Sequence, residues 1–340
     1  MAQNKISRES NIELLRIVSM FLVLVIHYIP IRGIPTKFSL ESDFWGTVFN
    51  LELRSICFVC VNCFILISGY FGIRWKVKSI LNYTYQVLFW VVLCYFIAIL
   101  IGVHDFNGLE FLKRLSSFLS YNWFILSYLG LYMFAPVLNT FIEKCSQREL
   151  GRFIIIFYLF STYFGYILQV SPEFKEGTTF VSLMGLYLIG AFIRRYEYSC
   201  WLMKFNKYID LLIYLGIGWF LVLVSIIAIY YGFNHSLYGY LNPFIIAESL
   251  FLFLFFRKLN IFYSKIINYI AGSAFAVYLL HYNPSIIGVY MQICRYIQDN
   301  FRISLFYILL FLGFVFMIAV IIDKVRIWSF NRIWKVLNIQ

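Results

Sequence analysis

Four polar residues interrupt the first apolar run of the chain: Asn11, Glu13, Arg16 and His27. Arg16 and His27 are eleven residues apart. At helical geometry they fall within about 20° of one face, separated by about 16 Å along the axis. Glu13 precedes Arg16 by three residues, the spacing of an ion pair on one helix surface. Ionisable groups are costly in a lipid-facing position, so this stripe belongs against a protein interior or a water-filled cavity. An imidazole placed there can take a proton from a hydroxyl, which makes His27 a candidate general base. The plainer alternatives are a snorkelling Arg16 and an interfacial His27 beside Tyr28. Late in the chain, Tyr278 and His281 repeat the three-residue spacing on one helix face.

Other polar residues read differently. Glu52 and Arg54 open the second apolar run without sharing a face, and either is a candidate to reach the stripe of the first helix. Glu248 lies inside the eighth run, while His104 and His235 read as surface residues of connections. Cys57, Cys60 and Cys63 have a metal-like spacing. They sit in an apolar run with no histidine nearby, so they read as small packed side chains and no metal is expected.

These residues stand out against an apolar background. The 340 residues are 62% hydrophobic and 13% charged, where a soluble domain is about 25% charged. That excludes an ordinary soluble enzyme, a disordered chain and a fibrous repeat. The expectation is an all-α, polytopic transmembrane bundle of about ten spans, forming a single integral-membrane domain over 1–340. The apolar segments run over about 11–31, 48–72, 81–102, 123–141, 152–170, 179–194, 208–231, 240–256, 266–292 and 303–323. The net charge of +12 does not signal nucleic acid here. Placing the N-terminus in the cytoplasm puts most Lys and Arg, including Arg74, Lys76, Lys78, Arg194, Arg195, Arg257, Lys258, Lys324 and Arg326, on the cytoplasmic side. The positive-inside rule therefore favours both termini in the cytoplasm. The first run follows a basic start but has no small-residue cleavage site, so it reads as a retained helix. Residues 103–122 read as an amphipathic helix lying along the outer surface.

The segment from Asn11 through Glu13 and Arg16 to His27 resembles the first helix of the membrane-bound acyltransferase-3 family, with its basic residue, ten residues and histidine. Phe64-Ile-Leu-Ile-Ser68-Gly69-Tyr70, Asn122-Trp123-Phe124 with Pro136, and Ser273 with Tyr278-Leu-Leu-His281 resemble further family motifs in the same order. The family's Arg-x-x-Arg pair is absent; that region reads Arg74-Trp-Lys76-Val-Lys78.

The resemblance implies a bacterial inner-membrane O-acetyltransferase-like enzyme. Its donor would be acetyl-CoA or another acyl-CoA, approached from the cytoplasm and held by Arg16, Arg74, Lys76 and Lys78. His27 would be the base, while Glu13 pairs with Arg16 and Arg16 guides the donor's entrance. Tyr278 would donate to the oxyanion, and His281 would bind the acceptor, orient a water or support His27. The acceptor would be a cell-surface polysaccharide or lipid-linked sugar, with membrane lipid, a second copy or a glycan-assembly protein as partners. Ser68 is a possible acyl carrier, although Ser-Gly inside a span reads as close packing. Two further readings compete: a transporter of a lipid-linked sugar or small solute, and a structural or sensory membrane protein.

Overall fold

The structure is a computed structural model that describes residues 9–233 and 237–336; His235 lies outside the described residues. Among them every regular element is helical. In chain order these are α1 Ser10–Tyr28, α2 Lys37–Ser42, α3 Phe44–Phe71, α4 Val77–Leu100, α5 Gly108–Ser116, α6 Trp123–Lys144 and α7 Gln147–Phe160. They continue with α8 Phe180–Arg195, α9 Lys207–Tyr230, α10 Pro243–Arg257, α11 Lys265–Ala271, α12 Ala274–His281, α13 Ile287–Asn300 and α14 Ser304–Val336.

Seven helical runs among the described residues are long and apolar enough to cross a membrane. They comprise α3, α4, α6, α9 and α14, α1 with its following turn, and α7 with a wider-wound extension over Ser161–Ile167. The other three apolar segments are also helical but shorter. Helix α8 has 16 residues and α10 has 15. The expected single helix over 266–292 is broken into α11, α12 and α13. Gly272-Ser273 separates the first two, and Asn283-Pro284 follows the second. Proline disfavours helical geometry at the residue before it, which accounts for the second break.

Outward faces of α6, α7, α9 and α14 expose large apolar side chains, including Val137, Ile156, Leu223 and Phe314. Exposed apolar faces of this kind are suited to lipid rather than water. The interior holds two apolar clusters. One gathers α1, α4, α12 and α14 around Leu24, Trp90 and Leu279. The other gathers α3, α6, α8 and α10 around Leu66, Tyr187 and Phe253. Helices α3 and α8 meet through glycines: a Cβ on Gly69 would lie 2.0 Å from the Tyr187 carbonyl oxygen, and one on Gly190 2.2 Å from that of Leu66. Gly69 is therefore a packing residue.

Polar side chains fix α1 at its beginning. Ser10 Oγ accepts from the Ser264 amide at 2.8 Å and from Asn268 Nδ2 at 3.2 Å, while Asn11 Nδ2 donates to the Arg257 carbonyl at 2.9 Å. At its other end Tyr290 donates to the Leu24 carbonyl, and Tyr28 to Gln298, both at 2.7 Å. Helix α1 is thus clamped at both ends.

Arg326 is buried rather than solvated. It is 2% exposed, inside α14, and forms a fork on Asp323 at 2.9 and 3.0 Å. Asn82 and Gln86 of α4 complete the cluster. Lys258 is likewise withdrawn, pairing with buried Asp210 at 2.6 Å.

Candidate active site

Met20, Val23, Ile26 and His27 of α1 line a narrow cavity. Cys60, Val61 and Phe64 of α3 form a second wall, Trp123 and Phe124 of α6 a third, and Tyr240 and Tyr278 complete it. The free space is about 30 Å³, enough for a water or two. Arg16, Met20, Val23 and His27 advance by three or four residues, so the cavity wall extends the stripe on which Arg16 lies.

At one end of that stripe, Arg16 Nε donates to Glu13 Oε2 at 3.1 Å. The carboxylate is nearly buried and Arg16 is 27% exposed. The bond uses one edge of the guanidinium and leaves the terminal nitrogens for another anion.

At the other end, His27 Nδ1 lies 2.8 Å from His281 Nε2, and His281 Nδ1 lies 2.6 Å from the Val277 carbonyl oxygen. The carbonyl only accepts, so His281 Nδ1 carries the hydrogen. With both rings neutral, His281 Nε2 is then an acceptor, and His27 must donate from Nδ1. His27 Nε2 is left with a lone pair. A backbone carbonyl thereby sets the tautomer of a histidine on another helix, leaving one ring nitrogen of His27 able to accept a proton. His281 is 1% exposed and cannot easily turn away. Tyr282 stacks on His27 at 4.1 Å between ring centroids, and Tyr278 stacks on Tyr282 at 5.8 Å.

Tyr278 donates its hydroxyl hydrogen to Asn122 Oδ1. The same oxygen accepts from the Phe124 amide at 3.1 Å and caps α6. Asn122 thus joins the start of α6 to α12. In this arrangement the Tyr278 hydrogen is engaged, so its hydroxyl must rotate before it can donate to an oxyanion.

The expected donor-binding cations have different surroundings. Arg74 lines a groove of about 290 Å³ with Asn139, Glu143, Arg194 and Arg195. Lys76 is exposed, and Lys78 lies over the Trp334 ring at 5.2 Å. Arg54 does not reach the stripe of α1; it donates to the Gly33 carbonyl beyond the helix end, at 3.2 Å. Glu248 accepts from Ser55 at 3.3 Å in a separate buried contact. Ser68 donates to the Phe64 carbonyl of its own helix at 2.9 Å and meets the Tyr128 hydroxyl at 3.3 Å. Cys57, Cys60 and Cys63 are buried free thiols, and among the described residues no three potential ligands gather to hold a metal.

Helix α5 realises the amphipathic segment. Asn107 caps it, and Arg114 binds Glu110 at 2.5 Å and Ser285 at 2.7 Å. The Ser285 contact ties α5 to the loop that follows His281.

A profile of the acyltransferase-3 family, described as an acyltransferase domain, matches residues 9–323. The chain belongs to the acyltransferase-3 family. Comparison with curated proteins and with solved structures gives no match. Family membership accounts for the conjunction of a multi-pass helical membrane protein and an acyltransferase. Three polar residues of the candidate site carry no functional mark in the sequence: Tyr240, Tyr282 and Asn122, and Tyr240 has no local signal at all. Tyr282 adjoined His281 without a pattern to mark it. Asn122 was visible only as part of a motif, although an asparagine ahead of an apolar helix is also a capping signal.

Proposed function

We propose that this acyltransferase moves an acyl group, most simply acetyl, from acyl-CoA to a hydroxyl of a cell-surface polysaccharide or lipid-linked sugar. The observation that carries the reading is the bond chain Val277 carbonyl–His281–His27, which leaves His27 Nε2 as the acceptor in a cavity. In the proposed step, His27 Nε2 takes the acceptor's hydroxyl proton as its oxygen attacks the thioester carbon. The tetrahedral intermediate then expels the CoA thiolate, which recovers that proton. Imidazolium formation strengthens the hydrogen bond to His281, so this contact favours the transition state over the ground state. Trp123 and Tyr240, together with a rotated Tyr278, offer N–H and O–H groups for the oxyanion.

The donor would enter from the Arg16 end. Arg16 would meet an anionic part of CoA, with Arg74 nearer the surface and Lys76 and Lys78 contributing long-range attraction. The roughly 16 Å between Arg16 and His27 suits an extended pantetheine arm. The cavity is too narrow for that arm as it stands, so rings such as Phe64 and Phe124 must move on donor binding. In the proposed topology α8, α10 and the broken unit α11–α12 join the seven long runs to make ten crossings, with both termini and Arg16 cytoplasmic in a bacterial inner membrane.

The direct test uses purified protein, labelled acetyl-CoA and a panel of glycan and lipid-linked acceptors. Transfer by the wild type and its loss in His27→Ala is the expected result. Undiminished transfer by His27→Ala rejects the base assignment, and absence of both transfer and hydrolysis with every thioester rejects the donor class.

A further inference from the structure

A second cavity lies at the His27 end of the bundle, bounded by the turn after α1, the start of α3 and the end of α9. It encloses about 510 Å³ and is lined by Lys37, Arg54, Ser225 and Tyr238, with Ile229 and Phe233 among its apolar residues. Among the described residues no acidic residue lines it.

Arg54 is held in place there. Its Nε donates to Asn50 Oδ1 at 3.2 Å, and one terminal nitrogen donates to the Gly33 carbonyl at 3.2 Å. No carboxylate lies within ion-pair distance of it among the described residues. Lys37 lies over the Tyr230 ring at 4.9 Å, which neutralises no charge. A fixed cation on a membrane-crossing helix without a counter-ion calls for an anion from outside the chain. The mixture of two cations and an apolar wall fits a phosphate carried on a hydrocarbon chain.

The groove adjoins the His27 cavity. Tyr238 lines the groove and Tyr240 lines the cavity. The Phe58 ring touches both, at 5.8 and 5.5 Å between centroids. Arg54 and the cavity residue Val61 are seven residues apart on α3, which puts them on nearly one face and about 10 Å apart along the axis.

The geometry points to this groove as an anchor for a phosphate-bearing lipid acceptor, with the phosphate on Arg54 and Lys37 and its hydroxyl-bearing head group extending towards His27. This assignment rests on the acyltransfer reading for the acceptor's fate, but its binding step is measurable alone.

The test measures binding of polyprenyl phosphate, phosphatidylglycerol and unphosphorylated polyprenol to detergent-purified protein by native mass spectrometry. Polyprenyl phosphate should bind, polyprenol should bind about tenfold more weakly, and Arg54→Gln should erase most of that difference. Arg54→Lys should recover part of it. Equal binding of polyprenol, or unchanged binding by Arg54→Gln, overturns the phosphate site. Phosphatidylglycerol binding as tightly as polyprenyl phosphate makes the groove a general phospholipid site and overturns the acceptor assignment. Should Arg54→Gln fail to fold, Lys37→Gln, at an exposed position, carries the same comparison. Labelled acyl-CoA turnover is read separately: its absence rejects the acyltransfer reading while leaving the binding result intact.

Discussion

Replacing His281 by alanine tests the tautomer argument most directly. The change removes the only acceptor that the described residues offer to His27 Nδ1, at 2.8 Å, from a position 1% exposed. A hydrogen bond to a group that becomes charged contributes about 1.5–3 kcal/mol. The expected loss in kcat is therefore about 10- to 150-fold. Removing the base itself should cost more, about 100- to 10,000-fold. The donor KM should change little in His281→Ala, because Arg16 lies about 16 Å from the histidine pair. His281→Gln keeps an acceptor oxygen and should recover part of the rate. The assay is steady-state transfer from labelled acyl-CoA, with kcat and KM separated for His27→Ala, His281→Ala and His281→Gln. If His281→Ala is as inactive as His27→Ala, with His281→Gln no better, the ordering of the two rings is wrong. Unchanged kcat in His281→Ala refutes the positioning role.

Further outcomes follow from the same contacts. Arg16→Gln should raise the donor KM by about tenfold with a smaller effect on kcat; an effect on kcat alone argues against donor binding. Asn122→Ala should lower the melting temperature and the rate together, since it removes both a helix cap costing about 1 kcal/mol and the Tyr278 contact. Asp323→Ala should destabilise the protein by about 3–5 kcal/mol, because it leaves Arg326 buried without its carboxylate; an unshifted thermal melt in detergent contradicts the buried cluster. Glu110 is held below the usual carboxylate range by the Arg114 hydrogen bond. The contact is thus present at neutral pH and is lost as pH falls through that lowered value. Hydrogen exchange in α5 should accelerate over that acid range in the wild type and show no such pH step in Glu110→Gln.

Local periodicity made one half of the site legible. The three-turn spacing from Arg16 to His27 predicts a shared face, and the cavity runs along it through Met20 and Val23. The Glu13–Arg16 pair follows from the same rule. The meeting of His27 with His281 is a different kind of fact. It joins residues 254 apart through the packing of α1 on α12, and no periodicity specifies that contact. The break in the ninth apolar segment was also concealed by composition, since apolar residues continue across it. Its local signals were Gly272-Ser273 and Asn283-Pro284. The burial of Arg326 was hidden for a related reason: charge counting treats a basic residue near a span end as a topology signal, while Asp323 three residues earlier marked an internal pair.

The same distinction explains why the site can be both apolar and chemically ordered. A backbone carbonyl fixes His281, His281 fixes His27, and neither bond needs a buried carboxylate. A neutral chain of this kind avoids the desolvation penalty of an ion pair near the reacting atoms. The formal charge is kept some distance away, on Glu13 and Arg16, where one side of the arginine is still exposed. In the proposed reaction the helix would separate two demands that conflict at one position: an anionic donor needs a cation, and proton transfer needs a neutral imidazole. Eleven residues of α1 would meet both, because three helical turns preserve the face while moving the charge away from the proposed base.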